Sequence, residues 1–270
     1  MKQELGTFRI VLFSFLNNIS LFILKFIVFL LSGSAAIFAE SLHSLSDTVN
    51  QLLLIYGVKS SKRKDIFLFP FGRGKEQYFW SLIVAFLFIG FSGLFSFGEG
   101  LIKMQHEYVL KEVPLLYAIL IVSFFMDGSV LLYTTRTMGH KIPSLRLLRS
   151  LRETRDSTIL VAFLEDFSAI IGISIAFIGI FLTNTMNSSI FDSIASISIG
   201  LLLITVGVLM VDITKDLIVG RGLSRNEIRT IVNIIKKYPE INKIIDIKGV
   251  YMGPSTVILG IDLNFRDGLS

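Results

Sequence analysis

His43 and Asp47 stand four residues apart in Ala36 to Gly57, AIFAESLHSLSDTVNQLLLIYG. On a helix that spacing places both side chains on one face. The stretch reads as a membrane-spanning helix with ionisable groups in its middle. Such a group costs about 2.5–3.5 kcal/mol at the helix centre on insertion scales, so it rarely sits there without a role. An imidazole and a carboxylate at i and i+4 can reach one divalent metal ion from the same side. The same pair can instead join neighbouring helices by hydrogen bonds. Both readings stand on these two residues. Other intramembrane candidates are Lys25, Asp127 and the adjacent Glu165 and Asp166.

The elements that must position them are apolar runs. The 270 residues are 52% hydrophobic, with a mean hydropathy of +0.70. A soluble domain is typically about 45–50% apolar with glycine counted. The pattern predicts an all-α membrane protein of six transmembrane helices. Its spans run from about Ile10 to Leu31, Ala36 to Gly57, Gln77 to Lys103, Pro114 to Tyr133, Ile159 to Leu182 and Ile190 to Val211. Each is long enough for a hydrocarbon core, which takes about 20 helical residues. Tyr78, Phe79 and Trp80 open the third span as an interfacial aromatic cluster. The N-terminal MKQELGTFRI is too short and too mixed in charge for a cleavable signal, so the first span is expected to be retained.

The net charge of +5 is concentrated in connections and is no sign of nucleic-acid binding. Lys59, Lys62, Arg63, Lys64, Arg73 and Lys75 follow span two, and Arg136, Lys141, Arg146, Arg149, Arg152 and Arg155 follow span four. The connections after spans one and five carry no Lys or Arg, and the one after span three has Lys103 and Lys111. The positive-inside rule then makes both termini cytoplasmic. With no cysteine, thiolate metal sites and disulfides are excluded. There is no phosphate loop, nucleophile elbow or metalloprotease helix motif; GRGKEQ at 72–77 has the wrong spacing for a Walker A.

After Gly222 the texture changes. Ser224 and Glu227 have capping-box spacing, a helix follows to about Lys237, and Pro239 stops it. Ile244 to Tyr251 and Val257 to Phe265 read as strands joined through Gly253 and Pro254. The expected division is residues 1–215 as the transmembrane domain and 223–270 as a partial cytoplasmic α-β-β domain, a size that is marginal alone.

AESLHSLSDTVNQLLLIYG, FPFGRGKEQYFW, FLEDFSAIIGISIAFIGI and FDSIASISIGLLL, in that order, resemble the cation diffusion facilitator family of divalent-metal transporters. The similarity covers nearly the whole chain and is strongest to a branch with bacterial efflux proteins and a mitochondrial zinc exporter. It implies six membrane helices, a cytoplasmic ferredoxin-like domain (here lacking its last helix and strand), a homodimer, and exchange of a divalent ion, most often zinc, for protons. In a bacterium the location would be the inner membrane. The resemblance implies no enzyme activity and no cofactor beyond the transported ion. It carries the second-span metal ligands onto His43 and Asp47 and one fifth-span ligand onto Asp166. Where zinc members have a fifth-span histidine this chain has Ala162, and Glu165, on nearly the same face, could replace it. A second, histidine-based site falls on Phe69 and Arg73 and is expected to be missing, as is metal binding by the histidine-free C-terminal segment. Lys75 matches an interface lysine whose acidic partner falls on Gly220.

One imidazole with two or three carboxylates is a harder donor set than two imidazoles. It favours zinc first and admits manganese, iron or cobalt. A membrane metal sensor is the rival of another class. An intramembrane hydrolase would need an open coordination position, which a fully ligated ion lacks. Asp127 could relay protons, support a ligand, or anchor span four. Lys25 could neutralise an acid in the bundle or snorkel. Asn50 could orient Asp47, and Gln51 continues the His43–Asp47 face. His106 and His140 read as solvated. Gly200, Ser196 and Ser193 read as close-packing positions.

Overall fold

The computed structural model describes residues 2–137 and 155–266. His140, Lys141, Arg146, Arg149 and Arg152 lie outside the described residues. The elements are α1 (Lys2–Ser32), α2 (Ala35–Ser61), α3 (Glu76–Leu87), a π-helical segment (Phe88–Leu94), α4 (Phe95–Met104), α5 (Val113–Thr137), α6 (Ser157–Met186), α7 (Ile190–Val219), α8 (Arg225–Ile235), β1 (Ile241–Gly253) and β2 (Thr256–Phe265). α3, the π segment and α4 form one continuous rod.

The protein is a multi-pass membrane protein built on a helical bundle. Five of its rods are long and apolar enough to cross a bilayer unaided: α1, α3 through α4, α5, α6 and α7. The sixth, α2, has 27 residues, about 40 Å at 1.5 Å per residue, but is too polar to qualify by itself. It is inverted relative to a soluble amphipathic helix. Glu40, Ser41, His43, Ser44, Ser46, Asp47, Thr48, Asn50 and Gln51 are buried, whereas Val49, Leu52 and Tyr56 are exposed. α2 packs on α1, α3, α4, α6 and α7, which together shield its polar face from lipid.

Small residues let these rods approach closely. A β-carbon at Gly200 of α7 would lie 2.5 Å from the backbone nitrogen of Phe97, and one at Gly100 would lie 2.7 Å from Ile197 Cγ1. Ser196 Oγ donates to the Ser96 carbonyl at 2.8 Å. The expected close-packing role of Gly200 and Ser196 is therefore met against α4. The π-helical turn was not foreseen. It lies where Gly90, Ser92 and Gly93 remove side-chain bulk, and its first residue, Phe88, is fully buried.

The helix ends are specified locally. Ser34 caps α2, accepting from Ile37 N at 3.2 Å. Gly33, with φ +74°, makes the tight turn from α1. Asp156 caps α6 by accepting from Thr158 N at 3.0 Å. The Ser224–Glu227 capping box forms as expected, although α8 ends at Ile235.

α8 leads into an antiparallel hairpin of β1 and β2. The second strand ends at Phe265 as expected, and the strands otherwise exceed the expected ranges because pairing starts at Ile241 and continues to Gly253 opposite Thr256. The hairpin rests on the α2–α3 loop at two glycines: a β-carbon at Gly253 would lie 2.9 Å from Gly74 Cα. Arg155 pairs with Glu227, whose carboxylate also accepts from the Tyr251 hydroxyl at 2.5 Å. Lys75 Nζ donates to the Ile218 carbonyl at 3.0 Å, placing a cation at the C-terminal end of α7.

Candidate metal centre

His43 and Asp47 share the inward face of α2. Their Nδ1 and Oδ1 atoms are 3.5 Å apart, and both side chains are nearly sequestered from solvent. Neither ring nitrogen of His43 nor Oδ1 of Asp47 has a hydrogen-bond partner among the described residues. Buried polar atoms are normally satisfied, so three orphaned donors of metal-ligating type one helical turn apart fit a cation. Phe88 meets the His43 ring edge-on, with centroids 5.5 Å apart, and fixes the imidazole from the α3 side.

The two fifth-span carboxylates diverge. Glu165 faces α2, where its Oε1 accepts from Asn50 Nδ2 at 2.6 Å. Asp166 faces α5, where its Oδ2 accepts from Thr134 Oγ1 at 3.0 Å. Among the described residues no three His, Asp or Glu side chains are gathered in metal-holding geometry. The structure thus brings His43 to Asp47 and sets Glu165 against the same helix. It does not close Glu165 or Asp166 around that pair. Asn50 binds Glu165 rather than orienting Asp47.

One turn away lies a second polar cluster. Lys25 of α1 is fully buried, and its Nζ donates to Glu40 Oε2 at 3.0 Å and Ser44 Oγ at 3.1 Å. Asp127 Oδ2 of α5 lies 3.9 Å from the same ammonium, and Asn17 Nδ2 donates to Asp127 Oδ1 at 3.3 Å. Lys25 therefore neutralises acids in the bundle and does not snorkel. Asp127 ties α5 to α1, in keeping with the anchoring reading. Glu40 was not singled out from the sequence. Its signal was present: it precedes His43 by three and faces α6 at Gly172, where a side chain would collide with it.

The other end of α2 is held by Asp192, also missed. Its carboxylate accepts from Ser34 Oγ at 2.6 Å, Ala35 N at 2.6 Å, Ala36 N at 3.4 Å and Tyr108 OH at 2.7 Å. This satisfies first-turn amides and complements the helix dipole. Burial, and then the adjacent Asp192 carboxylate, push the Tyr108 hydroxyl above the ordinary phenol range, so it stays a donor at physiological pH. Lys103 Nζ donates to the Gly33 carbonyl at 2.5 Å over the Phe29 and Tyr108 rings.

Residues 11–217 match the family model for the cation efflux transmembrane domain. The chain is 27% identical over 253 residues to the human mitochondrial proton-coupled zinc antiporter SLC30A9, covering 93% of this chain and 44% of that protein. It is 27% identical over 257 residues to metal tolerance protein C4 of Arabidopsis thaliana, covering 92% and 55%. It is 24% identical over 262 residues to the magnetosome protein MamB of Magnetospirillum gryphiswaldense, covering 96% and 83%. The chain spans about half the length of the first two relatives.

Proposed function

The chain belongs to the cation efflux, or cation diffusion facilitator, family, and from that premise we propose that it exports a divalent cation, zinc first, in exchange for protons. The observation that carries the proposal is the orphaned nitrogen and oxygen donors of His43 and Asp47, sealed in the middle of the bundle. The relatedness to proton-coupled zinc antiporters supports zinc and protons as the exchanged ions. His43 supplies nitrogen and Asp47 oxygen. Glu165 supplies a third donor once Asn50 releases it, and Asp166 a fourth once it leaves Thr134. A set with one imidazole also admits manganese, iron or cobalt.

Proton coupling follows from the donors. Metal binding needs a neutral imidazole and ionised carboxylates, so each ion bound expels protons. Affinity therefore falls as pH falls. A site opened to the more acidic compartment protonates, releases metal and returns with protons. Alternating access is the accompanying motion, with α2 and α6 carrying the site. The basic α2–α3 loop and the C-terminal α-β-β segment belong on the cytoplasmic side, and the working unit is a homodimer.

Zinc uptake by vesicles holding the purified protein, driven by an imposed pH gradient, tests this. Uptake is expected to fall to the protein-free level when the gradient is collapsed and in Asp47→Ala. Uptake that ignores the gradient overturns proton coupling. Metal binding without flux favours a sensor. Full flux in Glu165→Ala removes Glu165 from the ligand set. Asn50→Ala, which unhooks Glu165 without removing a donor, is expected to leave zinc affinity at or above that of the parent; a clear loss would mean that the Asn50 contact holds Glu165 in place for the metal.

A further inference from the structure

The α2–α3 loop carries a patch that ion transport leaves without a use. Ile66 is 76% exposed, Phe67 99%, Leu68 74% and Phe71 63%. They are held outward by an ordered turn: Asp65 Oδ1 accepts from Leu68 N at 3.1 Å, and the Asp65 carbonyl accepts from Phe69 N at 2.9 Å. Arg73 pairs with Glu76 and lies 4.5 Å from the centre of the Phe69 ring, which stiffens the return of the loop. An ordered turn presenting several large apolar side chains marks a binding surface.

Two observations say what covers it. The first is depth. The loop leaves the bundle just beyond Tyr56 and re-enters just before Phe79 and Trp80. Those three rings form one edge-to-face cluster, Tyr56 to Trp80 at 4.9 Å and Trp80 to Phe79 at 5.6 Å. Clustered Tyr and Trp mark the headgroup level of a bilayer, so both ends of the loop stand at that level. The second is charge. Lys62, Arg63 and Lys64 are exposed and are separated from the apolar residues by Asp65 alone, which leaves the stretch with a net positive charge. Two copies of this loop face to face would oppose like charges, whereas an anionic leaflet complements them.

We propose that residues 62–71 form a lipid-surface anchor, in which Ile66, Phe67 and Leu68 enter the headgroup–acyl boundary while Lys62, Arg63 and Lys64 engage anionic lipid phosphates. The loop then keeps the end of α2 at headgroup depth while leaving it free to slide within the membrane plane.

The full chain in lipid vesicles tests this. The native tryptophan is Trp80, so Phe67→Trp in a Trp80→Phe background reports from the loop tip. Its emission is expected to shift to the blue and to be quenched by bromine-labelled acyl chains, more strongly when phosphatidylglycerol is added to phosphatidylcholine. The phosphatidylglycerol increment is expected to vanish in Lys62→Gln/Arg63→Gln/Lys64→Gln. Water-like, unquenched emission overturns the proposal. The chain has no cysteine, so Phe67→Cys labelled with a polarity-sensitive dye repeats the measurement with Trp80 in place. Efficient cross-linking of unlabelled Phe67→Cys between two chains would also overturn it, assigning the patch to a second copy.

Discussion

Lys25 is a fully buried ammonium held by Glu40, Ser44 and Asp127. Removing one member of a buried charge pair strands the other, at about 3–5 kcal/mol. Lys25→Met is therefore expected to lower the melting temperature of the detergent-solubilised protein sharply. Lys25→Met/Glu40→Gln, which leaves one fewer bare charge, should recover part of the loss. Lys25 also holds α2 beside the candidate site, since its Nζ donates to Ser44, the residue after His43, at 3.1 Å. Zinc binding in Lys25→Arg should stay close to the parent, since the cation is kept. The sequence showed Lys25 to be deep but left two fates open, because depth along a helix does not reveal which acids lie across from it. Glu40 and Asp192 were overlooked for a related reason. Spacing to His43 marks the face of Glu40, but its role comes from Lys25 of α1 and Gly172 of α6, and that of Asp192 from the first turn of α2 and from Tyr108, all distant in sequence.

At the level of the helices, the tightest seam is α7 against the α3–α4 rod. Gly200 has no room for a side chain there, whereas a β-carbon at Gly90 in the same rod would meet nothing within 4 Å. Gly200→Leu is expected to destabilise by at least about 1–3 kcal/mol through overpacking. Gly90→Ala should be neutral or stabilising by about 0.5–1 kcal/mol. Thermal unfolding of both variants in one detergent checks the contrast. The spans themselves were legible, because lipid demands about 20 apolar residues per helix and writes that demand into composition. α2 was legible for the opposite reason, as polar residues surrounded by apolar ones. The π turn was not, since Gly90, Ser92 and Gly93 fit an α-helical packing face equally well. The divergence of Glu165 and Asp166 was also hidden. Adjacent helical residues point about 100° apart, but whether each meets α2 or α5 depends on how α6 is rotated.

Across the whole molecule, the C-terminal segment meets the bundle among the described residues at Gly74, which lies against Gly253, and at Arg155, which pairs with Glu227 and lies 5.1 Å from the centre of the Tyr251 ring. Gly74→Val fills the space that the hairpin occupies and should pry it off. Faster limited proteolysis between α7 and α8, with the bundle left intact, would report this; an unchanged digestion rate would mean that the contact carries no weight. The opposite end of the bundle is bound far more firmly. Asp192, Tyr108 and Lys103 clamp the first turn of α2 to α7 and to the α4–α5 loop. That clamp makes Ser34 a fulcrum for a stiff lever. A swing of ~10° about it would carry Ser61 through ~7 Å but His43 through only ~2 Å, at ~1.5 Å of lever per residue. The end of α2 near the hairpin can thus swing wide while the ion's seat hardly travels.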